Sequence, residues 1–328
     1  MKLLKPLLFF IALSCNTTAR KQPFEATAPA LPLTDRHVHI ISPQLLADFK
    51  AQGVPFPNGG APHTNVDTIF NRNNAQQMHL VGMGYLYSNS DFYLGNDAKE
   101  KAKAENDFLA EVKSKHPNTM KAFFGIDPLL NGALAEVMRC RETLKLDGVK
   151  MHFANNKVYL SRPGHLKKVL PIFEYAAKNG MPILLHFDNG DPKFGTEDVR
   201  VLVSSVLSKV KPLTLTIAHF GTSGGFNKKT EGVLSAFKEH FESGAISEKH
   251  RVRFDISAVA LNRDSEGVQK LSVGGYGRLR GYLDTVGLDR VVFGSDYPLY
   301  TAGEYLGVLR EKLKLTDSEL AGITSNKD

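Results

Sequence analysis

Two histidines close to the start of the chain have a spacing that suits metal binding. His37 and His39 stand two residues apart in the segment DRHVH at 35–39. In a β-strand, alternate side chains point to one face and lie about 6.5–7 Å apart along the backbone, so two imidazoles can reach one ion. This H-x-H pattern therefore indicates a metal site, although two histidines on one strand face also occur as hydrogen-bonded polar residues.

Three further polar residues follow short apolar runs. His186 ends the run ILLH, His219 ends LTIAH, and Asp296 follows VVFGS. An unpaired polar group is costly to bury at the end of an apolar strand, so each of these side chains needs a partner. Imidazole and carboxylate groups are ligands for Zn²⁺ and for other first-row divalent ions. We predict a single metal site with four ligands: His37, His39, His186 and Asp296.

Eight predicted β-strands would position these residues. The apolar, β-rich runs occupy 33–41, 79–87, 121–126, 148–153, 182–187, 213–219, 251–256 and 290–293. Helix-like segments separate them, for example 106–115, 165–179 and 197–210. A strand with its crossover helix needs about 30 residues, so eight such units fill the 328 residues of the chain. The alternation predicts an α/β fold, a single-domain (β/α)8 TIM barrel. An open doubly wound sheet is the alternative, but no Gly-rich phosphate turn follows the first strand.

A barrel would gather the histidines at one end of the molecule. The carboxyl ends of the strands form the active-site face of a (β/α)8 barrel. The H-x-H pair ends the first predicted strand, and His152, His186 and His219 end the fourth, fifth and sixth. Unrelated core histidines would not be expected to share one end of their strands. The longest connection, 41–66, contains four prolines and is predicted to be a long loop, either a lid over this face or ordinary surface.

The first thirty residues have the character of an export signal and a linker. Residues 1–15 place two lysines before a short apolar run, the order found in secretory signals. The sequence ALSC at 12–15 resembles a bacterial lipobox, which predicts a lipidated Cys15; cleavage by an ordinary signal peptidase and a retained tail are the alternatives. Residues 16–30 are polar and predict a linker. The catalytic domain is then predicted over 31–328, in an exported protein that is periplasmic or membrane-anchored.

The composition is that of an ordinary globular protein. Hydrophobic residues make up 42% of the chain and charged residues 23%. The net charge of +7 is spread too thinly to indicate nucleic-acid binding. Cys140 is the only cysteine besides Cys15, so no intramolecular disulfide is expected if Cys15 is removed or acylated. We expect a small-molecule substrate as the partner, no nucleic acid, and membrane contact only through Cys15.

Taken together, the motifs resemble those of the amidohydrolase superfamily. They are, in chain order, DRHVH at 35–39, GVKMH at 148–152, LLH at 184–186, IAHFG at 217–221 and FGSDYP at 293–298. More narrowly, they resemble the amidohydrolase-related branch of TIM-barrel hydrolases and decarboxylases. The resemblance implies one divalent ion, Zn²⁺ or else Mn²⁺ or Fe²⁺, at the predicted ligands.

The resemblance and the chemistry of the side chains together imply three catalytic candidates. Asp296 would be a ligand or take a proton from water whose pKa the ion lowers from 15.7 toward about 7. His219 would polarise the substrate carbonyl or hold the attacking water. Lys150 corresponds to a lysine that is carbamylated and bridges two ions in two-metal members, but it could instead bind an anionic substrate group or pair with a carboxylate; we expect one metal. Asp255 could line the same mouth or pair with an inward cation.

The predicted function is a metal-dependent hydrolase that attacks the amide, ester or lactone carbonyl of a small molecule. A carboxy-lyase, or non-oxidative decarboxylase, with the same metal site is the first alternative, because the substrate loops decide between the two reactions. The second is an exported ligand-binding lipoprotein without catalysis, which would not need both Asp296 and His219. Six loop residues could contact the substrate or be ordinary polar loop residues: Asp188, Asn189, Thr222, Ser223, Tyr297 and Tyr300.

Overall fold

Eight parallel β-strands, neighbours in sequence order, form the sheet of this protein. A computed structural model describes residues 33–56, 60–265 and 268–325, so the predicted signal and linker lie outside the described residues. The strands are β1 (Thr34–Ile40), β2 (Gln77–Gly82), β3 (Met120–Ile126), β4 (Gly148–His152), β5 (Ile183–His186), β6 (Thr214–Ile217), β7 (Arg251–Asp255) and β8 (Val291–Val292).

The last strand lies beside the first, which nearly closes the sheet into a barrel. The backbone N–H of Arg36 donates to the carbonyl of Phe293 at 3.0 Å, and that of His39 to the carbonyl of Tyr297 at 3.0 Å. The N–H of Tyr297 in turn donates to the carbonyl of His37 at 3.2 Å. The predicted single-domain (β/α)8 TIM barrel is therefore confirmed, and the alternative of an open sheet is excluded.

Helices cover the outside of the barrel, which explains why the strands are apolar on both faces. Every residue of the sequence ILLH in β5 is buried, for example. The helices are α1 (Pro43–Ala51), α2 (Ala61–Thr64), α3 (Val66–Asn73), α4 (Ala98–Lys115), α5 (Ala133–Met138), α6 (Phe153–Asn156), α7 (Pro163–Lys178), α8 (Thr196–Ser205), α9 (Lys228–Glu242), α10 (Val273–Val286), α11 (Ala302–Leu313) and α12 (Asp317–Ser325).

The connection after β1 differs from the predicted long loop, because it contains α1, α2 and the start of α3. The hydroxyl of Ser42 accepts the N–H of Leu45 at 3.0 Å and caps α1. Pro43 stands in the first turn of α1 and Pro62 in that of α2, where the missing N–H has no helical partner to lose. Two of the four prolines that suggested a loop, Pro43 and Pro62, therefore mark the beginnings of helices.

Two site residues lie on turns beyond their strands. β6 ends at Ile217, two residues before His219, and β8 ends at Val292, four residues before Asp296. Both residues have left-handed backbone conformations, with φ of +52° at His219 and +57° at Asp296. The predicted strand ends were therefore one or two residues too long, and tight turns position these two side chains.

The apolar side chains of the strands and of the inner helix faces form one main core. Cys140 belongs to this core as a buried free thiol. In the part of the chain that the structure describes, none of the helices combines the length and the hydropathy that a membrane span requires.

Candidate metal centre

The carboxyl ends of β1 and β8 bring three of the four predicted metal ligands together. Oδ1 of Asp296 lies 3.5 Å from Nε2 of His37 and 3.3 Å from Nε2 of His39. All three side chains are buried, and each offers one donor atom within 4.8 Å of the other two. Two alternate residues of β1 thus face a carboxylate that follows β8, the last strand of the barrel.

The donor atoms of this group fit a divalent metal ion. Metal–ligand bonds of about 2.0–2.1 Å at a tetrahedral angle place two donors about 3.4 Å apart. The distances of 3.3 and 3.5 Å between Asp296 and the two imidazoles agree with that separation. Oδ1 of Asp296 is buried and makes no hydrogen bond with the described residues, which is uncommon for a buried polar atom. A metal would be held by His37, His39 and Asp296.

Asp255 fixes the orientation and the tautomer of His37. Nδ1–H of His37 donates to Oδ2 of Asp255 at 2.8 Å, and both side chains are buried. With the proton on Nδ1, the lone pair of Nε2 faces Asp296 and can bind a metal. Burial, aided by the charge of Lys150, lowers the pKa of His37 to about 3, so the ring is neutral at physiological pH. Burial opposes the ionisation of Asp255, but the His37 ring keeps the pKa of Asp255 below its ordinary value.

Asp255 and Ser257 also fix His219. Oδ1 of Asp255 accepts the backbone N–H of His219 at 3.0 Å and that of Ser257 at 3.1 Å. Nδ1 of His219 lies 3.0 Å from the carbonyl oxygen of Ser257, which can only accept, so the proton lies on Nδ1. Nε2 is then the ring atom that can accept a proton or a hydrogen bond. The ring stacks on His37 with 5.0 Å between centroids.

Lys150 brings a buried cation to the same group. Its Nζ lies 3.3 Å from Nε2 of His37, at the middle of β4. Burial lowers the pKa of Lys150 to about 8, although the charges of Asp255 and Asp296 oppose that shift. The structure thus places Lys150 at the predicted site, in contact with a predicted ligand.

His186, the fourth predicted ligand, lies in the same mouth but outside the three-residue group. Its ring stacks on that of His152, with 3.7 Å between centroids, and its Nε2 lies 3.1 Å from Oγ of Ser223. The centroids of His186 and His219 are 5.2 Å apart. A metal-ligand role for His186 stays a prediction. In that role, Nε2 of His186 would give up its contact with Ser223 and bind the ion instead.

The six loop residues proposed to contact a substrate fall into two groups. Three of them line a cavity of about 600 Å³ beyond β5 and β6: Asp188, Thr222 and Ser223. The other three are buried or make hydrogen bonds within the protein. Asn189 donates to Asp198 at 3.0 Å, Tyr300 donates to the side chain of Asn262 at 2.8 Å, and Tyr297 is buried.

A comparison with protein families identifies the family of this chain. A family model described as Amidohydrolase matches residues 71–325. The chain belongs to the amidohydrolase family. The match confirms the resemblance, and it covers His186, His219 and Asp296 but begins after the H-x-H pair on β1. A search of curated protein sequences finds no significant match.

Solved structures with the same fold include two reaction classes. The 5-carboxyvanillate decarboxylase from Sphingomonas paucimobilis superposes with a TM-score of 0.62 at 15% identity, over 90% of this chain and 97% of that chain. A dihydroxybenzoic acid decarboxylase from a Polaromonas species, solved with bound manganese and an inhibitor, gives 0.60 at 18% identity, over 89% and 94%. A Pseudomonas putida protein provisionally named 2-pyrone-4,6-dicarboxylic acid hydrolase gives 0.58 at 17%, over 90% and 96%. At these identities the likeness shows the fold that the amidohydrolase chain shares with them.

Residues outside the predicted set hold His37, His39 and Asp296, the candidate metal group of this amidohydrolase, in place. Nδ2 of Asn73 donates to Asp35 at 2.8 Å, and Oδ1 of Asn73 accepts the N–H of Ala302 at 2.7 Å. Asp35 also accepts the N–H of Ser295 at 2.9 Å. These bonds tie β1 to the turn that carries Asp296. Strand alternation could have indicated Asp35, whereas Asn73 stands at the end of a helix and has no sequence signal.

Gly294 allows the exit of β8 to approach β1 closely. A Cβ at this position would lie 2.8 Å from Cβ of His37 and 3.2 Å from Cβ of Ser257. The variant Gly294→Ala must therefore push β1 away from Asp296. We expect it to lower the free energy of unfolding by about 1–3 kcal/mol and to weaken metal binding. Denaturant unfolding and metal titration measure the two effects.

A matched control is Gly277→Ala in α10, where an added Cβ meets nothing within 4 Å. Alanine in a helix interior should raise stability by about 0.5–1 kcal/mol relative to glycine. If Gly294→Ala binds metal as tightly as the control does, the site does not require the close approach of the exit of β8 to β1.

Proposed function

We propose that this chain is a metal-dependent hydrolase that adds water to an amide, ester or lactone carbonyl of a small molecule. The observation that carries the proposal is the convergence of His37, His39 and Asp296, with Oδ1 of Asp296 buried and without a hydrogen bond to the described residues. A divalent ion bound there supplies Lewis acidity and lowers the pKa of water into the physiological range. We propose one Zn²⁺, with Mn²⁺ or Fe²⁺ as alternatives.

The side chains around the metal group have the protonation states that such a reaction needs. Burial would raise the pKa of Asp296, but His219 and His37 lower it far below its ordinary value, so Asp296 carries the negative charge that suits a metal ligand. Nε2 of His219 is the ring atom that orients the carbonyl or the attacking water, since Nδ1 is committed to Ser257. Lys150 adds a cation that offsets negative charge on the substrate.

A carboxy-lyase acting through the same residues is the second candidate. Lys150 is a buried cation in contact with His37, and such a group can bind the carboxylate that a decarboxylase removes. Two of the proteins with the same fold, from Sphingomonas and Polaromonas, are decarboxylases. The metal group is common to both proposals, so the products must decide between them.

The test begins with elemental analysis of the purified protein and reloading with Zn²⁺ or Mn²⁺. The loaded protein is then incubated in ¹⁸O-labelled water with amides, esters, lactones and aromatic carboxylates. A hydrolase incorporates one ¹⁸O atom into the product acid and releases no CO2, whereas a carboxy-lyase releases CO2 and incorporates none. Turnover that survives complete removal of the metal would contradict both proposals.

The metal stoichiometry depends on the role of Lys150. If the site holds one ion, Lys150→Ala should keep about one metal per chain and should change kcat or KM instead. Elemental analysis and steady-state kinetics measure these quantities. The control is Lys157→Ala, a lysine just after β4 whose side chain is 62% exposed and which should change neither. A fall from two ions to one or none in Lys150→Ala would favour the carbamate bridge.

We also propose that the chain is exported and held at the membrane through a lipidated Cys15. The support is the order of charge, apolar run and lipobox-like sequence in residues 1–15. Cys15→Ala should move a still-exported protein from the membrane fraction to the soluble periplasmic fraction of a bacterial host. Immunoblots of the fractions measure the change. Unchanged membrane association of the variant would contradict lipidation and leave export open.

A further inference from the structure

We propose that Tyr85 and His152 form a pair of neutral hydrogen-bond donors that hold an oxygen of the substrate beside the metal group. The inference rests on the proposed function, because it assigns a substrate contact to the same site. Tyr85 lies in the turn after β2, and His152 is the last residue of β4. Both therefore stand at the carboxyl ends of strands, where the metal group also lies.

A continuous row of rings connects this pair to the metal group. Neighbouring centroids are 3.7–5.2 Å apart along the row, which contains His37, His219, His186, His152 and Tyr85. The row runs around the mouth of the barrel from β1 through the ends of β6, β5 and β4 to the exit of β2. The donors at its far end thus line the same mouth as the proposed ligands.

The hydrogen bonds of His152 determine which ring nitrogen can donate. The backbone N–H of Asn155 donates to Nδ1 of His152 at 3.2 Å. A backbone amide can only donate, so Nδ1 is unprotonated and the proton of the neutral ring lies on Nε2. Nε2–H makes no hydrogen bond with the described residues and remains a donor for a ligand.

Tyr85 offers a second donor at the same place. Its side chain is only 2% exposed, and its ring centroid lies 5.2 Å from that of His152. Its hydroxyl makes no hydrogen bond with the described residues, whereas the hydroxyl of Tyr87 on the same turn donates to Asp48 at 2.7 Å. In our proposal, the Tyr85 hydroxyl donates its hydrogen bond to a substrate oxygen.

The two donors are held rigidly relative to each other. Side-chain amides of Asn155 and Asn156 donate to the carbonyl of Tyr85 at 3.1 and 3.0 Å. The amide of Asn89 donates to Oδ1 of Asn155 at 3.0 Å. These bonds join the turn after β2 to α6, which His152 caps. Donors fixed in advance lose little entropy when a ligand arrives.

The chemistry of the pair defines the group that it would bind. Tyr85 O–H and His152 Nε2–H are both neutral donors, so their ligand must be an acceptor. We assign them to a carbonyl or carboxylate oxygen of the substrate, which accepts two hydrogen bonds through its two lone pairs. The substrate would therefore carry such an oxygen at the reacting group or next to it.

The test uses two variants that each remove one donor. His152→Asn also removes the ring that stacks on His186, so zinc content is measured beside probe binding. Tyr85→Phe keeps the ring contact, and His152→Asn keeps a side-chain oxygen that can cap α6, because asparagine is a preferred N-cap. Each should weaken the binding of acetohydroxamate to the Zn²⁺-loaded protein by about 10- to 100-fold, with unchanged zinc content. Each should lower kcat/KM by a similar factor. Tyr87→Phe loses only the bond to Asp48 and should match the wild type in both measurements.

Two results would overturn the donor pair. One is probe binding and kcat/KM equal to wild type in folded, zinc-loaded Tyr85→Phe and His152→Asn. The other is a ¹⁵N NMR spectrum of the wild-type protein that places the proton of His152 on Nδ1. If the wild type turns over no carbonyl substrate while both variants lose probe binding, the proposed hydrolase falls and the donor pair stands.

Discussion

Asp296→Asn should lower turnover by about 10²–10⁴-fold while the barrel stays folded. The amide carries no charge and cannot take a proton from water, and it is a poor ligand for a first-row metal. The stability of a barrel comes mainly from its apolar layers, which the substitution leaves intact. Asparagine also tolerates the φ of +57° at this position as readily as aspartate does, so the turn should keep its shape.

Circular dichroism, thermal unfolding and elemental analysis separate loss of activity from loss of fold. Asp289→Asn is the matched control, since this side chain is 76% exposed on the turn before β8. It should leave activity unchanged. A protein that cannot be loaded with Zn²⁺, Mn²⁺ or Fe²⁺, and whose Asp296→Asn variant equals the wild type on every substrate, would show that the proposed centre is wrong.

The same measurements decide the role of His186. If it is the fourth ligand, His186→Ala should weaken metal binding. Its effect on turnover should not multiply with that of Asp296→Asn, because residues that act through one ion are not independent. If His186 does not bind the ion in the wild type and instead keeps its contacts with His152 and Ser223, His186→Ala should bind metal as tightly as the wild type does.

Asp255→Asn should weaken metal binding by about 10- to 100-fold, the usual effect of removing the partner of a ligating histidine. An amide group facing Nδ1 of His37 can donate to it. The ring proton would then move to Nε2, where it occupies the lone pair that binds the metal. Metal titration measures the affinity, and ¹⁵N NMR of the imidazoles reports the tautomer.

Ser257→Ala is the control for Asp255→Asn. The Ser257 hydroxyl lies 3.1 Å from Nδ1 of His37 and 2.9 Å from Nδ1 of His219, but its removal leaves the bond between His37 and Asp255. A smaller loss of metal affinity is therefore expected. If both variants bind metal as the wild type does, the tautomer of His37 does not depend on Asp255.

Sequence patterns predicted the barrel and the approach of the H-x-H pair to Asp296, because these follow from strand periodicity and the common direction of the strands. They did not predict that the ring of His186 faces Ser223, because the orientation of a ring depends on neighbouring residues from other strands. The same holds for Asn73 and for the Tyr85 hydroxyl, which makes no hydrogen bond with the described residues, because the surroundings of both side chains come from distant parts of the chain. In contrast, the helix after β1 had a readable signal in Ser42 and the proline that follows it.

The meeting of β1 and β8 has a consequence for the life of the protein. The proposed metal group lies where the first and last strands of the barrel meet. His37 and His39 are on β1, and Asp296 follows β8. No ribosome-bound chain can complete the group until nearly the whole polypeptide has been synthesised. An ion bound by both strands would also hold the first and last strands of the barrel together. Such binding would raise the free energy of unfolding, and the increase would grow with the logarithm of the ratio of free metal concentration to the dissociation constant. Metal supply would then govern how long the protein survives as well as whether it works.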